Sequence, residues 1–228
     1  MPRTIVVLNP NSSRSVTEAL STALEPLRFA GGPAIRCETL ACGPPAIETD
    51  EHVAAVIEPV CRYFREHEAA AGAFVIACFS DPGLRQARAS SVRPVFGMAE
   101  CGLLTALAHG RRFGVISILE SSLGRHLRYI REMGIEERLA GDLALGLGVL
   151  ELADHLRALD RMISVGAQLR DEHGADVVVM GCAGMAALRG QLEDAIGIPV
   201  IEPVQAAVGM AMGAVAAAEH EEVTRSDQ

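Results

Sequence analysis

A parallel, two-part α/β fold is what this sequence predicts, and three observations predict it. Short apolar runs rich in Val and Ile alternate with helical stretches along the whole chain. The runs are near-continuous rather than alternating, as in strands covered on both faces. The pattern also repeats. Val7-Leu8-Asn9 and Ile116-Ser117-Ile118 stand 109 residues apart, Cys78 and Cys182 stand 104 apart, and Pro94-Val95 and Pro199-Val200 stand 105 apart. One unit used twice gives two pseudo-symmetric parallel-sheet α/β domains with the active site in the cleft between them. In open α/β sheets ligands bind beyond the C-terminal ends of the strands. The boundaries expected are 1–97 plus 203–218 for the first half, 98–202 for the second and 219–228 for a polar, frayed tail.

Taken in order, residues 4–8 (Thr-Ile-Val-Val-Leu) form the first strand. Asn9-Pro10-Asn11-Ser12-Ser13 turns the chain into a helix, with Ser15-x-x-Glu18 as its capping box. Residues 35–40 form a weaker strand, broken by Cys42-Gly43-Pro44-Pro45. A helix spans 50–68, with Val53, Ile57, Val60, Cys61 and Phe64 on one face. The strand leading to Cys78 follows, then a short helix from Gly83, a strand at 94–97 and a helix over 99–109. The second half opens with a strand at 112–118. A turn at Glu120-Ser121-Ser122 leads into a helix to Met133. Residues 143–150 are expected as a strand, although Gly146 and Gly148 weaken it. A long helix covers 153–172, and the strand to Cys182 leads into a helix past Met185. A strand at 198–201 and a helix over 203–218 complete the chain.

Composition bounds the function. The chain has 228 residues, 50% of them hydrophobic, with no Trp and only 4% aromatics, so its core is built of aliphatic residues. A net charge of −9 with no basic cluster argues against nucleic acid and against an anionic membrane. The longest apolar run falls short of the roughly 20 residues a membrane helix needs. The N-terminus begins as a strand and carries no signal-peptide pattern. Six cysteines without paired spacing read as reduced thiols of a cytoplasmic protein. No metal is expected: there is no CxxC, and none of the seven His stands near Cys78 or Cys182.

Cysteine in a core is usually a small hydrophobe, and Cys37, Cys42, Cys61 and Cys101 are read that way. Cys78 and Cys182 are open to two readings, core filler or chemistry. Each ends a strand, each precedes small or turn residues that open a helix whose N–H groups and dipole can stabilise a thiolate, and the two are repeat-equivalent. Two thiols on opposite faces of a carbon can remove a proton from one side and return it from the other. Disulfide redox is the competing chemistry and needs Cα atoms within about 7 Å.

At these residues the chain resembles the aspartate/glutamate/hydantoin racemase superfamily, within it the hydantoin and allantoin racemases. Asn9-Pro10-Asn11-Ser12, Ala77-Cys78-Phe79-Ser80-Asp81-Pro82-Gly83-Leu84, Gly181-Cys182-Ala183-Gly184-Met185 and Pro199-Val200-Ile201 carry the resemblance, with Gly43-Pro44 and Ala46-Ile47-Glu48 fitting the loop after the second strand. The resemblance implies a cofactor-independent racemase acting on a small molecule, with Cys78 and Cys182 as its two bases. It also implies a homo-oligomer, a dimer-based tetramer or hexamer. Decarboxylases of this group keep only the second cysteine, so the pair favours racemisation. A decarboxylase or cis-trans isomerase of the same scaffold is the alternative. Its amino-acid racemases carry side chains after the cysteines that grip a carboxylate. Phe79-Ser80 and Ala183-Gly184 suit a neutral hydantoin-type ring instead.

In that frame, the backbone N–H groups of Phe79, Ser80, Ala183 and Gly184 meet the developing oxyanion. Asn11 either donates to a ring carbonyl or forms an Asx turn. Ser117 is a candidate ligand contact, and Pro44, Ile47 and Phe79 are candidate apolar walls. Asp81 is expected to cap the helix opened by Pro82-Gly83, Glu202 to be structural and His52 to lie at the surface. Ile118, where the family often has a hydroxyl residue, and Thr49-Asp50-Glu51-His52, where it often has an aromatic, are departures.

Overall fold

The computed structural model of the chain describes residues 3–226. Eight strands form two four-stranded sheets. In the first, β1 (Thr4–Asn9), β2 (Ala34–Thr39), β3 (Ala73–Ile76) and β4 (Val95–Gly97) lie in the order β2-β1-β3-β4. In the second, β5 (Phe113–Ser117), β6 (Leu139–Ala144), β7 (Val177–Met180) and β8 (Val200–Ile201) lie in the order β6-β5-β7-β8. Every pairing is parallel. The registers match as well: Leu8 pairs with Ile76 in one sheet, and Ile116 with Met180 in the other. The repeat read from spacing is thus a repeat of topology.

The helices are α1 (Arg14–Ala23), α2 (Asp50–His67), α3 (Leu84–Ser90), α4 (Met98–His109), α5 (Glu120–Glu132), α6 (His155–Asp171), α7 (Arg189–Ile196) and α8 (Pro203–Ser226). The central strands are sealed on both faces. Ile5 to Leu8, Phe74 to Ile76 and Val177 to Met180 have no exposed surface. That is the burial a Val/Ile-rich parallel strand requires. α8 returns to pack on β1, β3 and β4 and against α4, while α4 also reaches β5, β7 and β8. These two Ala-rich helices join the halves.

Four expectations need correction. The sixth strand is Leu139–Ala144, not 143–150. Its partner β5 fixes the register from Leu139 onward, and Gly146, at a left-handed φ of 71°, turns the chain out of the sheet. Residues 149–153 then form a 3₁₀ turn. The cap of α1 is Ser13, whose hydroxyl accepts the N–H of Val16, and not Ser15. The Asn9–Asn11 side chains close the preceding turn early enough for the helix to begin at Arg14. Cys182 is followed first by a 3₁₀ segment, Ala183–Leu188, and only then by α7. The tail expected to fray continues α8 as far as Ser226, and residues 227–228 lie outside the described residues.

Candidate active site

Each sheet delivers one thiol at the same offset. β3 ends at Ile76 and β7 at Met180, and Cys78 and Cys182 stand two residues beyond those ends. Both thiols line one cavity of about 40 Å³ between the sheets. That space holds about three water molecules. Asn11, Ile47, Phe79, Ser80 and Ala183 share its lining, together with Ile118, Ser122, Arg125 and His126. A wider groove of about 630 Å³ runs along Glu193, Glu202 and Gln205, but it contains neither thiol. The chemistry, not the size, picks the smaller one.

The two sulfurs are dressed alike. Cys182 Sγ accepts the N–H of Gly184 at 3.4 Å, and Cys78 takes the N–H of Ser80 in the same way. Two of the four N–H groups expected at an oxyanion therefore serve the sulfurs. The other two, on Phe79 and Ala183, make no hydrogen bond among the described residues. Burial pushes Cys78 up to about 11 and Cys182 up to about 12, against these N–H donors. Asp81 adds to the rise at Cys78 and Arg125 opposes it. The charge of Cys78 itself raises Cys182, as expected of two thiols facing one small space. The helix expected to stabilise a Cys78 thiolate begins only at Leu84, so turn N–H groups act in its place.

Asn11 forms the Asx turn. Its Oδ1 accepts the Asn9 amide and the Ser13 N–H, each at 2.9 Å. Its amide nitrogen has no partner among the described residues, and the side chain borders the cavity. Ile47 and Phe79 line the cavity, whereas Pro44 lies outside the lining. Pro44 instead holds the neighbouring loop through its carbonyl, which accepts the Ser12 N–H at 2.9 Å. Gly184 borders an adjoining hollow with Leu152 and Ala153. Ile118 is buried against the cavity, Thr49 caps α2, and His52 Nδ1 meets the Glu48 N–H at 3.4 Å outside the lining.

Asp81 does not cap the helix opened by Pro82-Gly83. It reaches α4 instead, accepting the N–H groups of Ala99 at 3.0 Å and Glu100 at 2.9 Å, and the Tyr129 hydroxyl at 3.2 Å. Its φ of 42° turns the chain so that the carboxylate meets that helix start. Burial pushes Asp81 up to about 7, with these three donors pulling the other way. Glu202 is structural as expected. Its carboxylate accepts the N–H groups of Val204 and Gln205 at the start of α8.

Ser117 lies beneath the cavity rather than on its surface. Its hydroxyl donates to Asp142 Oδ1 at 2.5 Å and stands 3.0 Å from His126 Nδ1, which itself lies 3.0 Å from Asp142 Oδ2. His126, Asp142 and Arg125 escape the sequence reading. The signal for His126 lies in α5, where Ser122, His126 and Ile130 form a buried stripe one turn apart. A histidine on that stripe marks a polar group turned inward. Arg125 crosses between halves: Nε donates to Ser80 Oγ at 2.9 Å and Nη1 to Asp50 at 2.6 Å.

A match to the Asp/Glu/Hydantoin racemase family covers residues 5–211. The chain is 38% identical over 218 residues to a hydantoin racemase of Paenarthrobacter aurescens, covering 93% of this chain and 91% of that protein. Among solved structures, the allantoin racemase from Klebsiella pneumoniae superposes with a TM-score of 0.88 at 31% identity, over 94% of this chain and 88% of that one. Arylmalonate decarboxylase shares the fold, with a TM-score of 0.65 at 20% identity over 93% and 92% of the two chains. With the family match spanning both sheets and a relative covering nearly the full length, the chain belongs to the Asp/Glu/Hydantoin racemase family and is an isomerase, a racemase.

Proposed function

We propose that the protein inverts the acidic stereocentre of a 5-substituted hydantoin-type ring by proton transfer between Cys78 and Cys182. The observation that carries this reading is the equivalence of the two thiols: same offset from the central strands, same N–H partner two residues on, one shared cavity. One cysteine acts as thiolate and takes the C5 proton. The electron pair left behind moves onto the adjacent carbonyl oxygen, toward the unpartnered N–H groups of Phe79 and Ala183. The other thiol then gives its proton to the opposite face. Roles exchange for the other enantiomer, and no electrons leave the ring. Asn11 donates its amide N–H to a ring carbonyl. The hydantoin racemase from Paenarthrobacter aurescens and the allantoin racemase from Klebsiella pneumoniae support the choice of ring.

The cavity is smaller than such a ring, so the lining must move apart to admit it. The halves divide as 1–97 with 203–218 and 98–202, a reading supported by the packing of α8 on β1, β3 and β4.

Cys78→Ser and Cys182→Ser test the two-base reading. Each is expected to lower racemisation of an enantiopure 5-substituted hydantoin by at least about 100-fold, the scale of a lost general base. Deuterium exchange at C5 should persist for one enantiomer in each variant, opposite enantiomers in the two. Full racemisation by either variant refutes the pairing.

A further inference from the structure

The cavity has a polar wall that the two-thiol chemistry does not use. His126 is almost wholly buried, with 4% of its surface exposed, yet it borders the space between the sulfurs. Its Nδ1 is committed below to Asp142 Oδ2 and Ser117 Oγ, both at 3.0 Å. Ser117 donates its own hydroxyl hydrogen to the other carboxylate oxygen, at 2.5 Å. The proton between ring and carboxylate must therefore sit on Nδ1, because a carboxylate can only accept. In the neutral ring Nε2 is then a bare lone pair. It has no hydrogen-bond partner among the described residues, and its ring lines the cavity. Phe79, the residue after Cys78, stacks edge-on against the imidazole with centroids 5.1 Å apart, fixing the ring plane. A serine, a carboxylate and an aromatic edge thus hold one acceptor at the waist of the site.

We infer that His126 Nε2 accepts the N–H adjacent to the substrate's stereocentre, making His126 a substrate-binding residue positioned by Asp142 and Ser117. The inference rests on the hydantoin-type reading given above. With a thiol on each face of C5, the ring atoms bonded to C5 lie in the plane between the sulfurs. The carbonyl on one side faces backbone N–H donors, and the nitrogen on the other needs an acceptor. Among the residues lining the cavity, His126 supplies one. A buried acceptor discriminates sharply against a substrate that cannot donate to it, because the site's own lone pair is then left unpaired. The protein is thereby tuned to cyclic ureides and amides that keep an N–H next to the stereocentre.

The test replaces that N–H by oxygen. A 5-substituted oxazolidine-2,4-dione matches the hydantoin in size and lacks only this donor. C5 deuterium exchange is measured for both rings, and each enzymatic kcat/KM is divided by the buffer-catalysed rate of the same compound. The wild-type ratio is expected to be at least tenfold lower for the oxazolidinedione. In His126→Asn, whose amide can still donate to Asp142, the two ratios should fall within about threefold of each other, mainly through loss on the hydantoin. Thermal unfolding checks that this variant is folded. Equal ratios in the wild-type protein overturn the inference whatever the variant does, as does a folded His126→Asn protein that keeps the full discrimination. A wild-type protein that exchanges neither ring overturns the hydantoin reading itself, a result that the first two outcomes do not resemble.

Discussion

Raising the pH should raise activity without a plateau across the neutral range. Burial pushes Cys78 up to about 11 and Cys182 up to about 12. The reactive free enzyme holds one thiolate and one thiol, so its population is governed by the lower of the two values. A group whose value is raised keeps its proton at neutral pH, and activity that needs the thiolate therefore grows as pH climbs. At pH 8 the thiolate fraction is on the order of 10⁻³, three units below the Cys78 value, which costs about 4 kcal/mol of the barrier at about 1.4 kcal/mol per unit. The return on that cost is a stronger base for a weakly acidic carbon. The assay is kcat/KM for one enantiomer of a 5-substituted hydantoin, followed by polarimetry from about pH 6 to about pH 9, because kcat/KM reports the free enzyme. A slope near one per pH unit, with no break, is the expected result. A profile that levels off at or below about pH 8.5, the value of an ordinary thiol, refutes the claim that burial outweighs the N–H donors from Ser80 and Gly184.

Two further predictions concern how the thiols are held. Asp81→Ala strips the cap from α4, leaving the N–H groups of Ala99 and Glu100 and the Tyr129 hydroxyl without their acceptor. Unfolding in urea should show a loss of about 3 kcal/mol, and a change below about 0.5 kcal/mol, the range of an ordinary surface substitution, counts against this role. Gly181→Ala would bring a Cβ to 2.6 Å from the carbonyl oxygen of Ile116 and 3.3 Å from Ser117 Cα, both backbone atoms that cannot swing aside. It should lower stability by about 1–3 kcal/mol and, by shifting Cys182, reduce kcat/KM at least tenfold, a loss of about 1.4 kcal/mol in transition-state binding. Unchanged turnover would show that β7 does not set the position of the second thiol.

The central strands and the thiols were legible in the sequence because both are local. A run such as Val177 to Met180 has one physical meaning, and the cysteine after it inherits a place from the strand. The edge strand β6 was harder. All six of its residues are half-buried, and its bounds come from pairing with β5, which no local pattern reports. Asp81 shows the same limit. Its neighbours Pro82-Gly83 suggest a nearby cap, but its carboxylate meets a helix start eighteen residues on. His126 and Asp142, sixteen residues apart on a helix and a strand, carry no shared motif. Only folding brings them together, although the inward stripe on α5 hints at the histidine.

The site is symmetric in its bases and asymmetric in its walls. The thiols answer each other across the cavity, but Arg125 and His126 stand on one side only, and Asn11 on the other. Mirror-image substrates have equal energy in water, so a racemase has an equilibrium constant of one. Both hands start level and cross the same summit, and their kcat/KM values must therefore be equal. Unequal walls can still hold one hand more tightly. That hand then turns over more slowly by the same factor, and the lopsided pocket shows itself in saturation behaviour alone, never in a preferred direction of conversion.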